Sequence, residues 1–139
     1  MSEGVAMSAA LDLLPQRTVV RRRHDEETLQ RAVMAYLRLA VPDGVAWHTP
    51  NGGQRHAKAA ARLKGAGVLA GFPDVALLWR SKLYLIELKA PHGVASSAQR
   101  RLWPALIAAG AEVMLCRSLA HVEVSLREAG VRLRASVAA

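Results

Sequence analysis

The stretch "GFPDVALLWRSKLYLIELKA", residues 71–90, decides how this chain is read. Two apolar runs, Val75 to Trp79 and Leu83 to Lys89, have the look of β-strands, and the polar "RSK" between them is a connection of hairpin length. Yet Asp74 opens the first run, and Glu87 and Lys89 sit inside the second, where a strand built only for packing rarely carries charge. Residues two apart on a strand share a face, so Glu87 and Lys89 point one way while Ile86 and Leu88 point to the core side. If the loop is centred between Arg80 and Ser81, Asp74 falls directly across from Glu87, with Cβ atoms roughly 5 Å apart. A loop centred on Ser81 shifts the register by one.

Two opposed carboxylates repel unless something positive lies between them. A divalent cation supplies that charge, and two hard anionic oxygens suit Mg²⁺, which keeps several waters and takes only one or two carboxylates beside phosphate oxygens. Lys89, next to a metal-bound water, would orient or deprotonate it and stabilise charge on an attacked phosphate. The plainer reading is a weak Glu87–Lys89 salt bridge on an exposed strand face, with Asp74 an ordinary turn residue after Pro73.

The 139 residues fit one domain with a modest core. Apolar residues make up 52% and aromatics only 4%, which favours an Ala/Leu/Val core and argues against a broad base-stacking platform. The net charge is +8 and the pI about 10.8. Only part of that charge lies in residues 1–24, where Arg17, Arg21, Arg22 and Arg23 stand against Glu3 and Asp12, so the folded body is itself basic and attracts polyanions, nucleic acid foremost. The single Cys116 excludes an intramolecular disulfide and a multi-cysteine zinc site. No basic n-region or long apolar run marks a signal peptide or membrane span, so a cytoplasmic protein is expected.

Along the chain, residues 1–24 read as a flexible basic arm, followed by one domain over 25–139. "DEETLQRAVMAYLRLA" is a helix over about 26–40 with Asp25 as its N-cap. Val45 to His48 form a short strand before the "PNGG" loop, a turn whose backbone would also suit a phosphate. "QRHAKAAARLKGAG" favours a short helix, on which Arg55, Lys58 and Arg62 make a basic stripe beside Lys64. That stripe is either a solvated face or a phosphate-contacting edge. Ser96 or Ser97 caps a helix through Ala109, stopped by Gly110, with Pro104 expected to kink or shorten it. "EVMLC" is expected as a buried strand, and "SLAHVEVSLREAG" as an amphipathic helix with Leu119, Val122 and Leu126 inward. The order describes an α/β sandwich around a central mixed sheet. The five histidines never fall at metal-ligand spacing.

"GFPDVALL" followed by "LYLIELKAPHGVASSAQRRL" resembles the PD-(D/E)xK nuclease superfamily, and "NGGQRHAKAAARLKGAGV" is similar to its VRR-NUC (virus-type replication-repair nuclease) branch. The likeness runs from about Asp25 to Leu119. It implies a restriction-endonuclease-like core and metal-dependent hydrolysis of DNA. Pro73-Asp74 matches the first motif and Glu87-Leu88-Lys89 the second, which makes Asp74 and Glu87 ligands of Mg²⁺ or Mn²⁺, the Leu88 carbonyl a further ligand, and Lys89 the catalytic lysine. The resemblance also implies an acidic residue from the first helix, Glu26 by the "E-x-x-L-Q" spacing with Glu27 close by, and Gln30 one turn further on. Gln99 matches the glutamine of "S-x-x-Q", near the active centre, with Arg100 beside it as a DNA contact.

These readings together predict a small Mg²⁺-dependent endonuclease acting on DNA, structure-selective toward branched or junction forms, in replication, repair or recombination of a phage or mobile element. A symmetric homodimer would present two sites to such a substrate. The competing expectation is a nucleic-acid-binding module that keeps the nuclease fold without turnover. A third is a basic structural protein whose strand charges are surface salt bridges.

Overall fold

The computed structural model describes residues 16–50, 61–62 and 64–137, with side chains from Asp25 onward. Arg55, Lys58 and all but Pro50 of the "PNGG" loop lie outside the described residues. Helix α1 spans Gln16–Ala40, followed by strands β1 (Val45–His48), β2 (Val75–Trp79) and β3 (Lys82–Leu88), helix α2 (Ser97–Ala108), strand β4 (Glu112–Cys116) and helix α3 (Leu119–Glu128). Residues 61, 62, 64 and 65 are helical, as the alanine-rich segment predicts.

The strands form one mixed sheet in the order β1-β2-β3-β4, antiparallel except for the parallel pair β3-β4. The parallel pair requires a crossover, which α2 supplies. Val75 pairs with Ile86 and Trp79 with Lys82, the register obtained by centring the loop between Arg80 and Ser81. Both loop residues have positive φ, 47° and 64°, the conformation that two-residue hairpin turns need to match strand twist.

Alternation then divides the sheet. Val75, Leu77, Trp79, Tyr84, Ile86 and Leu88 join Val33, Leu37, Val122 and Leu126 in the main core under α1 and α3. The opposite face carries Leu85 and Glu87, both buried, on the side of α2. The chain after α3 returns to α1: Arg134 N donates to Ala40 O, and the Tyr36 hydroxyl donates to Ala135 O.

Three local expectations are corrected. Helix α1 begins at Gln16, not near residue 26, so Asp25 is not its N-cap and residues 16–24 are helical. The stretch after Pro15 lacks glycine and proline up to Ala40, and extending an existing helix costs little compared with starting one. Pro104 does not break α2, which runs on to Ala108. Strand β4 is only half-buried up to Leu115, because it is an edge strand whose lack of polar alternation reflects cover by helices and not a central place.

Candidate active site

The site forms where the paired part of the hairpin ends. Beyond Val75 and Ile86, the next positions are Asp74 and Glu87, and the two touch: Asp74 N donates to Glu87 Oε2 at 3.2 Å. The Asp74 Oδ2 accepts from Leu88 N at 3.0 Å, so the side chain extends the ladder by one rung. The Asp74 carbonyl accepts from Thr49 N at 2.7 Å and lies 2.9 Å from His48 Nδ1, which ties this residue to the end of β1. Lys89 Nζ is 3.2 Å from Glu87 Oε1. Asp74, Glu87 and Lys89 border one open cleft together with Ser96 and Gln99.

Glu87 is only 4% exposed, so the reading of a salt bridge on an exposed strand face does not describe it. Burial first, and the Asp74 charge second, push its carboxyl up to about 7, against the opposing help of Gln99 and Lys89. Gln99 is held by a reciprocal capping box: Ser96 N donates to its Oε1 at 2.8 Å, and its own N–H donates to Ser96 Oγ at 3.2 Å. With Oε1 engaged, the amide NH₂ is the group that donates to Glu87. The helix cap thus aims a carboxylate.

Glu26 reaches the far end of β3, where its Oε1 accepts from Ala90 N at 3.1 Å. Glu26, Glu27 and Gln30 border a second opening shared with Asp74 and Leu88. Asp74 is common to both openings, so every residue expected at the centre lies around it. Arg62, Lys64 and Arg100 are exposed.

A bound divalent ion fits the donors present. Among the described residues no group of three or more His, Cys, Asp and Glu side chains is placed to hold a metal, which leaves Asp74 and Glu87 as the acidic pair. The two carboxylates offer hard oxygen donors at an open cleft, the donor chemistry that Mg²⁺ or Mn²⁺ would take together with retained waters.

Two positioning features were not assigned from the sequence. Gly71 has φ +85°, and a Cβ there would stand 2.6 Å from Ala98 C and Gln99 N, so only glycine lets the α2 N-terminus close on this loop. The "G-x-P-D" spacing carried that signal. Arg117 Nη1 donates to Ala90 O at 2.8 Å and Gly93 O at 2.6 Å, clamping the turn after Lys89. Nothing in the local sequence around Arg117 marks it, because its partners are backbone carbonyls 24 and 27 residues away.

The profile of the VRR-NUC domain matches residues 13–120. The chain belongs to the VRR-NUC family. The match begins upstream of the likeness read from the motifs and takes in all of α1. A solved VRR-NUC domain protein superposes with a TM-score of 0.59 at 22% identity, covering 73% of this chain and 84% of that one. A second solved VRR-NUC domain gives 0.49 at 20% identity over 74% and 94%. No curated protein matches the chain. VRR-NUC membership makes this a nuclease-type domain, and the first neighbour agrees with the restriction-endonuclease-like α/β fold. No helix of this VRR-NUC domain is long and apolar enough, among the described residues, to cross a membrane.

Proposed function

We propose that this chain is a metal-dependent nuclease that hydrolyses DNA phosphodiester bonds. The observation that carries the proposal is the buried Glu87 held against Asp74, with Lys89 3.2 Å from the same carboxylate at an open cleft. A purely structural strand gains nothing from burying Glu87 beside a second acid.

Asp74, Glu87 and the Leu88 carbonyl would hold Mg²⁺ or Mn²⁺. Such an ion, when bound, supplies a nucleophilic water at neutral pH and charge stabilisation on the phosphoryl oxygens. Lys89, anchored through Glu87, places an ammonium at the cleft, where it orients the attacking water and meets negative charge developing on phosphate. Gln99 keeps the Glu87 carboxylate in one rotamer, and Glu26 fixes the turn that follows Lys89. Arg62, Lys64 and Arg100, with Arg55 and Lys58, are the proposed phosphate contacts, and Gln30 borders the same opening as Asp74.

These basic side chains would meet phosphates and no base edge, so the proposed recognition rests on DNA shape and backbone. We extend the proposal to structure-selective endonuclease action on branched DNA in replication, repair or recombination, and to a homodimer. The test is purified protein with Mg²⁺ or Mn²⁺ against a panel of branched and linear DNAs. Cleavage that Asp74→Asn and Lys89→Ala abolish while binding persists supports the enzyme. Binding without cutting under any divalent ion would make the chain a binding module.

A further inference from the structure

Next to the cleft at Asp74 lies a second hollow, and Phe72 is a wall residue of both. Phe72 borders both the opening that contains Asp74, Glu87 and Lys89 and a hollow of about 300 Å³ walled by Trp47, Thr49, Gly67, Val68 and Leu69. Trp47 remains 41% exposed and Leu69 50%, so packing within the described chain leaves broad apolar surface facing outward. The aromatics of the chain are three tryptophans, two tyrosines and one phenylalanine. Tyr36, Trp79 and Tyr84 are core residues, and Trp103 donates to Gly71 O. Trp47 and the half-buried Phe72 both border this hollow. Thr49 stands on its wall, its buried hydroxyl without a hydrogen-bond partner among the described residues.

Two observations identify the occupant. The hollow adjoins the Asp74 cleft across Phe72, and β1, which carries Trp47, is tied to the Asp74 carbonyl by Thr49 N. The helical turn leading into Gly67, Val68 and Leu69 presents exposed Arg62 and Lys64, cations next to an apolar surface, which is the pairing that single-stranded nucleic acid binds. We propose that this hollow takes an unpaired nucleobase of the DNA strand whose phosphate lies at Asp74 and Lys89, stacked on Trp47 and Phe72 with Arg62 and Lys64 on the neighbouring phosphates. The proposal rests on the nuclease reading and deepens it. A base inside a duplex has both faces stacked and cannot enter without being unpaired, so the chain favours DNA with a single-stranded or frayed segment beside the cut.

The test is equilibrium binding with Ca²⁺ in place of Mg²⁺, to keep the DNA intact, using a duplex with a single-stranded extension that carries a fluorescent adenine analogue, and a blunt duplex as control. The analogue is quenched on binding, and Trp47→Ala weakens binding of the extended DNA about tenfold while the blunt duplex changes less than about twofold. Trp47→Phe restores binding, which separates stacking from misfolding. Removing the base from the extension costs wild type the same affinity and costs Trp47→Ala nothing more. Equal losses on both DNAs, additive losses, or a dimer that Trp47→Ala dissociates would overturn the proposal, the last by seating a second copy in the hollow. DNA that is cut by a chain insensitive to Trp47→Ala sinks the base pocket alone; failure to bind any DNA sinks the nuclease reading with it.

Discussion

The two faces of β3 contrast sharply. On one, Tyr84, Ile86 and Leu88 close against α1 and α3 with no charged side chain among them. On the other, Leu85 is followed by Glu87 and then Lys89, and burial there comes with a carboxylate whose charge is resisted. One strand thus does two jobs at adjacent positions. The apolar face gains free energy from every atom removed from water, whereas the acidic face spends some of it to keep Glu87 beside Asp74.

The contrast is broken most directly by removing function from one face and stability from the other. Asp74→Asn or Lys89→Ala is expected to lower metal-supported DNA cleavage by on the order of 10³-fold or more, with melting temperature little changed, measured by a gel cleavage assay beside thermal unfolding. Ile86→Ala, one position from Glu87, is expected to do the reverse. It should cost about 2–5 kcal/mol in denaturant unfolding, because Ile86 is fully buried, and leave residual activity in the folded fraction.

A third expectation concerns pH. In the folded chain Glu87 holds its proton up to about pH 7, while its ordinary value is 4.5, so the folded state binds the extra proton between those values. Its contribution is therefore full below pH 4.5 and is lost as pH rises through 7, an effect of at most about 3 kcal/mol. Metal-free wild type should lose stability over that window, Glu87→Gln should flatten the loss, and added Mg²⁺ should restore wild type but not the variant. A metal-free stability that rises with pH at Glu87 would contradict the contrast between the faces.

The smallest effect belongs to the clamp. Arg117→Ala removes two hydrogen bonds to carbonyls of the turn after Lys89 and is expected to cost about 1–3 kcal/mol of stability. Cleavage should fall through kcat more than KM, since the clamp holds Lys89 and Glu26 in position without reaching the proposed metal ligands. Arg117→Lys should recover only part of either, because a flexible ammonium lacks the fixed planar geometry that aims both Nη1 hydrogens at the two carbonyls.

The acidic pair was legible because hairpin pairing is local arithmetic: a two-residue turn at Arg80 and Ser81 places Asp74 opposite Glu87 whatever the rest of the chain does. Gln99 was reachable for a similar reason, since its capping box spans only Ser96 to Gln99. The start of α1 was missed because Asp25 has the chemistry of a cap, and a cap acts only where the chain upstream leaves the helix. The half-burial of β4 was missed because an uninterrupted apolar run cannot distinguish a central strand from an edge one covered by helices.

From its residues alone, then, this chain yields its hairpin, a register narrowed to two choices, a helix cap at Ser96 or Ser97 and the shared face of Glu87 and Lys89, all consequences of short-range geometry. Tertiary structure alone decides that Glu87 is buried beneath Gln99, that Gly71 admits the α2 backbone, that Arg117 grips Ala90 and Gly93, and that Trp47 and Phe72 face one hollow. These depend on contacts between segments distant in sequence, whose meeting follows from how the whole chain packs and is encoded in no single stretch of it.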